Sequence, residues 1–253
     1  MDKEFISVSV SILAFIILSG VGFAVISALR TRSGSLSSEL ELLRSETKAR
    51  RRRKAARGAT PETRGEAGED EIAGVFERLA EKGFVGATAR NVYVPKEDGT
   101  YSEIDVIFVT PKGLFVVESK NYSGWIFGRE SDLFWTQKLP SGQSSQFYNP
   151  IKQNGGHVRF LKQYLNVPLR IFPVVVFSDH CELKKLELES SPKPAVIHLR
   201  ELYYFIVNKW GLFPDSLTGE QVINVAGRLE ELTRVSEETK QAHVERVAGL
   251  KGR

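Results

Sequence analysis

The alternation of hydrophobic and polar positions predicts a helix followed by antiparallel strands in the first half of the main folded region. Apolar residues recur at the i, i+3, i+4, i+7 spacing of one buried helical stripe between residues 68 and 82, at Ile72, Val75, Phe76, Leu79 and Ala80. Strand-like segments follow at 85–94, 101–110 and 114–120. The turn signals Asp98-Gly99 and Pro111-Lys112-Gly113 separate them.

The second half predicts further strands and helices. Short strands are expected at 125–127 and 132–136, and a loop near 141–145. Asn149 and Pro150 then have the form of an N-cap and first-turn proline for a helix that ends near Leu165. Buried strands are predicted at 170–178 and 195–199, and a helix at 200–209. The order of the core elements is therefore α, β, β, β, α, β.

The last predicted helix begins with a capping box formed by Thr218 and Gln221. Four apolar residues follow at helical spacing, and we call them the C-terminal seam: Val222, Val225, Leu229 and Leu232. The seam is expected to pack on the core or to mediate self-association.

An uncharged apolar run predicts a membrane anchor at the N-terminus. It extends from Phe5 to Leu29, and at ~1.5 Å per residue a helix of this length crosses a hydrocarbon core of ~30 Å. A cleaved signal peptide is the alternative. The preceding residues Asp2, Lys3 and Glu4 are not net basic, and the run exceeds the ~7 to 15 apolar residues of such peptides. We therefore expect a single-pass anchor.

Charge predicts how this anchor is oriented. Residues 30–57 contain ten basic and three acidic residues (+7), whereas the remaining 25 basic and 28 acidic residues give −3. Because positive charge gathers on the cytoplasmic side of a membrane, we expect the N-terminus outside and the rest of the chain in the cytoplasm at the plasma (inner) membrane. The basic cluster at 50–54 is expected to contact anionic lipid, with nucleic acid as the alternative.

Four regions follow from these patterns: a transmembrane anchor at 1–30, a basic juxtamembrane linker at 31–63, a main domain at 64–180 and a helical C-terminal extension at 181–253. The sequence GATPETRG at 58–65 is expected to be a flexible break. The single cysteine, Cys181, cannot form an internal disulfide, which fits a reducing compartment and makes a zinc site improbable.

The predicted hairpin brings two carboxylates together. A turn over Thr110-Pro111-Lys112-Gly113 pairs residues whose numbers sum to 223, and Asp105 and Glu118 are such a pair. Their Cβ atoms would lie roughly 4.5 to 5.5 Å apart. Strand alternation places Lys120 on the same face as Glu118.

Two opposed acids among apolar neighbours need compensation, and a hard divalent cation such as Mg²⁺ supplies it. The ammonium of Lys120 could then hold the attacking water or offset charge that grows on a phosphate. A solvated acid pair, or acids paired with a nearby lysine, is the alternative.

The segments RGEAGE (64–69), SEIDVIFVTPKGLFVVESKNYSGWIFG (102–128) and FYNPIKQNGGHV (147–158) resemble the nuclease-related domain, NERD. The resemblance covers about Arg64 to Phe177. It implies an α/β restriction-endonuclease-like core of the PD-(D/E)XK superfamily, with a mixed sheet in the order α-β-β-β-α-β flanked by helices.

Carried over by position, the resemblance implies a set of catalytic residues and metal ligands. Asp105 and Glu118, with the carbonyl of Ser119, would bind Mg²⁺ or Mn²⁺, and Lys120 would be the catalytic lysine. Glu69 would be the early acidic residue of the family, although an acid at a helix N-terminus has a structural explanation too. Gln153 would position the substrate. His157, His180 and His198 are assigned no role.

Motif and anchor together predict a membrane-anchored, Mg²⁺-dependent phosphodiesterase that hydrolyses nucleic acid, with DNA as the expected substrate. The rival hypothesis is a catalytically silent module that binds nucleic acid or a protein at the membrane. Loss of the acids or the lysine would favour this rival, and all of them are present.

Overall fold

The computed structural model describes residues 61–251 of the 253-residue chain. Five helices and nine strands lie in this part. The helices are α1 (Pro61–Glu81), α2 (Pro150–Leu165), α3 (Leu199–Leu212), α4 (Gly219–Glu231) and α5 (Glu237–Lys251). The strands are β1 (Ala87–Pro95), β2 (Tyr101–Thr110), β3 (Gly113–Lys120), β4 (Gly124–Arg129), β5 (Phe134–Lys138), β6 (Ser144–Tyr148), β7 (Ile171–Phe177), β8 (Cys181–Glu187) and β9 (Ala195–His198).

The predicted anchor from Phe5 to Leu29 and most of the basic linker lie outside the described residues. Between residues 61 and 251, no helix has both the length and the apolar character needed to cross a bilayer.

A five-stranded mixed sheet, which we call the main sheet, forms the centre of the fold. Its strand order is β1-β2-β3-β7-β9. The pairs β1–β2 and β2–β3 are antiparallel, whereas β7 runs parallel to both β3 and β9. The elements α1, β1, β2, β3, α2 and β7 therefore follow the predicted order, which is confirmed.

Helices cover both faces of the main sheet. Leu161 and Leu165 of α2 and three residues of α4 pack in one apolar cluster with residues of β2 and β3. On the other face, Ile72 and Phe76 of α1 pack with residues of α3. Because the central strands are covered on both sides, they are almost continuously apolar.

A second, four-stranded sheet has the strand order β6-β5-β4-β8, and its strands come between those of the main sheet along the chain. Trp135 and Phe147 are its large core residues, and both rings contact Phe177 of the main sheet. Strand β6 covers part of the segment predicted as a loop at 141–145, and β8 was not predicted. Both are short and polar, so their pairing partners rather than their own residues define them.

The secondary structure differs from expectation at two places near the ends of the main domain. Helix α1 begins at Pro61, so the predicted flexible break at 58–65 does not extend through Gly65. Proline suits a first helical position, because its missing N–H has no intrahelical partner there. At the other end, strands β8 and β9 occupy the start of the segment predicted as a helical extension from residue 181.

The predicted capping box of α4 is confirmed, because the side chains of Thr218 and Gln221 cap each other's backbone N–H groups. The C-terminal seam packs against the main sheet, with Val222, Val225 and Leu229 buried and Leu232 partly buried. The seam is therefore part of the core of this chain, while self-association through this segment stays a prediction.

Candidate active site

The β2–β3 hairpin has the predicted register. Val106 pairs with Val117 and Thr110 pairs with Gly113, so residue numbers across the hairpin sum to 223. Gly113 has a φ of 133°, and a Cβ there would lie 2.3 Å from the carbonyl oxygen of Arg170. Only glycine fits this turn. The paired ladder ends at Val106 and Val117, and Asp105 and Glu118 are the next residues on the two strands.

Strand β2 is distorted where Asp105 lies. Strands β1 and β2 pair on either side of Asn91 and Asp105, but these two residues are not paired. Asn91 has a φ of 51°, a left-handed conformation that asparagine tolerates better than most residues. Ile104 and Ile107, three positions apart, face the same apolar cluster, so the usual alternation is interrupted between them.

The distortion allows the Asp105 carboxylate to accept a backbone hydrogen bond. The N–H of Ser119 donates to Asp105 Oδ2 at 2.7 Å. The N–H of Ser178 in turn donates to the carbonyl of Lys120, so the backbone of Lys120 faces β7. Because successive residues of a strand alternate in direction, the backbone groups of Ser119 face the Asp105 side.

Glu118 is buried, with 1% of its surface exposed. Its Oε1 accepts from Lys120 Nζ at 2.5 Å, and its Oε2 lies 3.0 Å from His157 Nε2. Burial raises the pKa of Glu118, but the charge of Lys120 and the bond to His157 outweigh it and the pKa lies below its usual value. Glu118 is therefore a carboxylate at neutral pH.

Lys120 bridges the hairpin and helix α2. Besides Glu118, its Nζ donates to Gln153 Oε1 at 3.2 Å. Burial lowers the pKa of Lys120, yet the charges of Glu118 and Asp105 raise it above its usual value overall. Lys120 is therefore an ammonium that donates hydrogen bonds, not a base.

Glu69 lies inside helix α1, in the part of the helix that approaches β3. Its Oε2 is 3.4 Å from Nη2 of Arg90, and Nη1 of Arg90 is 2.6 Å from Oδ1 of Asp70. Burial raises the pKa of Glu69 to about 7, and the guanidinium of Arg90 only partly opposes this. The Glu69 charge also raises the pKa of Asp105. The expected explanation of Glu69 as an acid at a helix N-terminus is wrong, because α1 begins at Pro61 and Glu69 lies eight residues further along it.

A glycine controls how closely α1 approaches this end of β3. A Cβ at Gly68 would lie 3.0 Å from Ser119 Oγ and 3.3 Å from Asn121 Cβ. The absence of a side chain thus lets the helix lie against the residues that follow Glu118, with Glu69 next in sequence.

Asp105 and Glu118 are neighbouring acids whose carboxylates could hold a cation. Burial and the neighbouring charge of Glu118 raise the pKa of Asp105 well above its usual value, more than Lys120 lowers it. A divalent cation between the carboxylates would relieve this repulsion, and carboxylate and carbonyl oxygens are the ligands that Mg²⁺ and Mn²⁺ take. In the part of the chain that is described, no three His, Cys, Asp or Glu side chains form a metal-binding group. The oxygens that fit a cation are those of Asp105, Glu118 and the Ser119 carbonyl.

The predicted residues Asp105, Glu118, Ser119, Lys120 and Gln153 thus meet at the open end of the hairpin. The analysis of the sequence missed His157, which contacts Glu118. The signal was its position four residues after Gln153, because residues at i and i+4 share one face of a helix.

Comparisons with known proteins concern the region that contains these residues. Residues 64–178 match the family model of the nuclease-related domain, NERD. An uncharacterized protein of Bacillus anthracis is 35% identical over 133 residues, which are 53% of this chain and 61% of that protein. The chain thus spans about three fifths of the length of this relative. No solved structure gives a significant match. The chain contains a nuclease-related domain at residues 64–178, and the open end of the β2–β3 hairpin lies within it.

Proposed function

We propose that this protein is a Mg²⁺- or Mn²⁺-dependent phosphodiesterase that hydrolyses nucleic acid, with DNA as the expected substrate. The observation that carries the proposal is the meeting of Asp105, Glu118 and Lys120 at one end of a hairpin inside a nuclease-related domain. Glu118 is buried and Asp105 is partly buried, which costs stability, and such a cost is expected where charged groups serve a function.

Asp105, Glu118 and the Ser119 carbonyl would hold the cation. The nearby charge of Glu69 raises the pKa of Asp105. A divalent cation bound there would polarise a backbone phosphate and lower the pKa of a water molecule. The same residues correspond to the acidic ligands of the PD-(D/E)XK superfamily, and the α-β-β-β-α-β order supports that assignment.

Lys120 would stabilise negative charge that develops on the phosphate during attack by water. Its raised pKa argues for this role over that of a proton acceptor. Gln153 would orient the ammonium, because its Oε1 accepts from Lys120 Nζ. Attack by water would form a new P–O bond while the bond to the leaving oxygen breaks. The attacking water would lose a proton to solvent, and the leaving oxygen would take one from solvent.

The proposed location is the plasma (inner) membrane, with the nuclease-related domain in the cytoplasm. The uncharged run from Phe5 to Leu29 and the ten basic residues after it support this location. Fractionation of cells, followed by washing the membranes in high salt and alkaline carbonate, would test it. Release of the full-length chain by either wash would reject the anchor and leave contact with anionic lipid at residues 50–54 as the attachment.

The activity is tested by incubating the full chain, purified in detergent, with plasmid and oligonucleotide DNA. Cleavage with Mg²⁺ or Mn²⁺ should be abolished by EDTA and should fall about 10³-fold or more in Asp105→Asn, because a cation contributes several kcal/mol. Asp98→Asn is the matched control, since Asp98 is exposed in the turn before β2. Cleavage that survives both EDTA and Asp105→Asn would reject the proposal.

The contacts of Glu118 favour a second candidate, a catalytically silent module that binds nucleic acid or a protein. Both oxygens of this carboxylate already have partners, Lys120 and His157, without a cation. Lys120 and its ion pair would then be structural. Binding of DNA with an affinity indifferent to Mn²⁺, and without cleavage, would support this candidate.

A further inference from the structure

His157 occupies a buried position between a carboxylate and a hydroxyl. It lies on α2 with 8% of its surface exposed. Its Nε2 is 3.0 Å from Glu118 Oε2, and its Nδ1 is 2.7 Å from Ser102 Oγ. Glu118 belongs to β3 and Ser102 to β2, so the imidazole links the helix to both strands of the hairpin.

The partners of the ring determine where its protons lie. An ionised carboxylate only accepts hydrogen bonds, so Nε2 must carry a proton. The Ser102 hydroxyl can donate to Nδ1 of a neutral ring or accept from a charged one. In either state Ser102 keeps Nε2 as the donor toward Glu118.

Two adjacent turns of helix α2 contact Lys120 and Glu118. Gln153 contacts Lys120, and His157, four residues later, contacts Glu118. Between them, the buried side-chain amide of Asn154 donates to the carbonyls of Val116 and Val174. The helix is therefore fixed to the two central strands at the level where the charged groups lie.

Two donors hold Glu118 from different sides. Lys120 donates to Oε1 of Glu118, and His157 donates to Oε2. Without His157, the carboxylate would be free to turn toward the ammonium and share both oxygens with it. Such a turn would strengthen the ion pair and withdraw Glu118 from Asp105.

We propose that His157, supported by Ser102, is a positioning residue that orients Glu118 for binding a divalent cation. This inference rests on the proposed function. His157 and Ser102 would not themselves contact the cation. Hydrogen bonds to the groups that bind a metal typically contribute about 10- to 100-fold to metal affinity.

The test is the dissociation constant for Mn²⁺ alone, measured on the full chain in detergent by the electron paramagnetic resonance of the free ion. His157→Leu should weaken binding about 10- to 100-fold. His157→Gln should retain most of the affinity, because its amide offers a donor near the place of Nε2. Ser102→Ala should weaken binding about fivefold, the value of one neutral hydrogen bond.

His198 provides a matched control. It is also a histidine with 8% exposure, but its Nδ1 lies 3.3 Å from the backbone carbonyl of Ser178. His198→Leu should leave the affinity for Mn²⁺ unchanged. Near-ultraviolet circular dichroism in EDTA establishes that each variant is folded, and Ser102→Ala, which retains the imidazole, carries the test if His157→Leu does not fold.

The outcomes separate this inference from the proposed function. If the unaltered protein binds no Mn²⁺, the proposed function fails in that first measurement. If it binds Mn²⁺ and folded His157→Leu or Ser102→Ala binds equally well, only the role of His157 is overturned. Equal losses in His157→Gln and His157→Leu would also overturn it, because packing rather than hydrogen bonding would then explain the effect.

Discussion

The two ends of the β2–β3 hairpin are built from the same strands but from opposite kinds of residue. At the turn, Phe108 and Phe115 are at most 1% exposed, and the ring of Phe115 stacks on Phe172 with centroids 4.7 Å apart. At the open end, Asp105, Glu118 and Lys120 replace the apolar side chains. Apolar burial stabilises the fold, whereas burial of charged groups costs free energy.

The two ends thus differ in what their residues contribute: those at the turn stabilise the fold, and those at the open end have the function that we propose. An apolar open end would pack as the turn end does. The charged groups are instead held by hydrogen bonds that Ser119 and His157 donate and by one that Gln153 accepts from Lys120. Such a set of supports is expected where the charges bind or transform a ligand.

The largest effect is expected from Glu118→Gln, which removes a charge from the open end of the hairpin. The amide preserves the shape but leaves the Lys120 ammonium without its main counter-charge, so Mn²⁺ binding and DNA cleavage should fall about 10³-fold or more. Titration with Mn²⁺ and a cleavage assay measure this. Glu97→Gln, in the exposed turn before β2, is the control. Undiminished binding of Mn²⁺ would contradict a metal site at the hairpin.

The turn end should respond in stability. Phe115→Ala removes a fully buried ring, which typically costs about 3–5 kcal/mol of unfolding free energy. Urea denaturation followed by tryptophan fluorescence measures it. The folded fraction should keep the Mn²⁺ affinity of the unaltered protein. A large loss of that affinity would show that the two ends are not separable.

The smallest effect is expected from Glu69→Gln, and it depends on pH. The pKa of Glu69 is about 7 in the fold against 4.5 ordinarily, so between these values the folded chain holds a proton that the unfolded chain releases. Stability therefore falls as pH rises through this window, by on the order of 3 kcal/mol. Glu69→Gln should reduce this fall, as measured by urea midpoints at pH 5 and pH 8 in EDTA. An unchanged slope would contradict the assignment.

The hairpin and its carboxylate pair could be predicted because their determinants are local. A two-residue turn fixes the register of the strands that it joins, and Thr110-Pro111-Lys112-Gly113 defines such a turn. Helix α2 was equally predictable, since the Asn149 side chain accepts from the N–H of Ile151 and Pro150 follows it directly. These features need no knowledge of distant residues.

The remaining features depend on long-range pairing. Strand β8 lies beside β4 only because the chain returns after β7, and its alternating charged residues give no strong strand signal. The contact between His157 and Glu118 joins residues 39 positions apart. A helix face can be predicted from sequence, but not which strand end it covers.

The similarity to nuclease-related domains ends at Ser178, yet the hydrophobic core continues for another fifty or so residues. Leu202 and Ile206 of α3 and Leu229 of α4 are fully buried against the main sheet. The segment that folds as a unit is therefore longer than the segment that matches the family model. A fragment cut at the homology boundary would expose both faces of the sheet to solvent and is expected to aggregate.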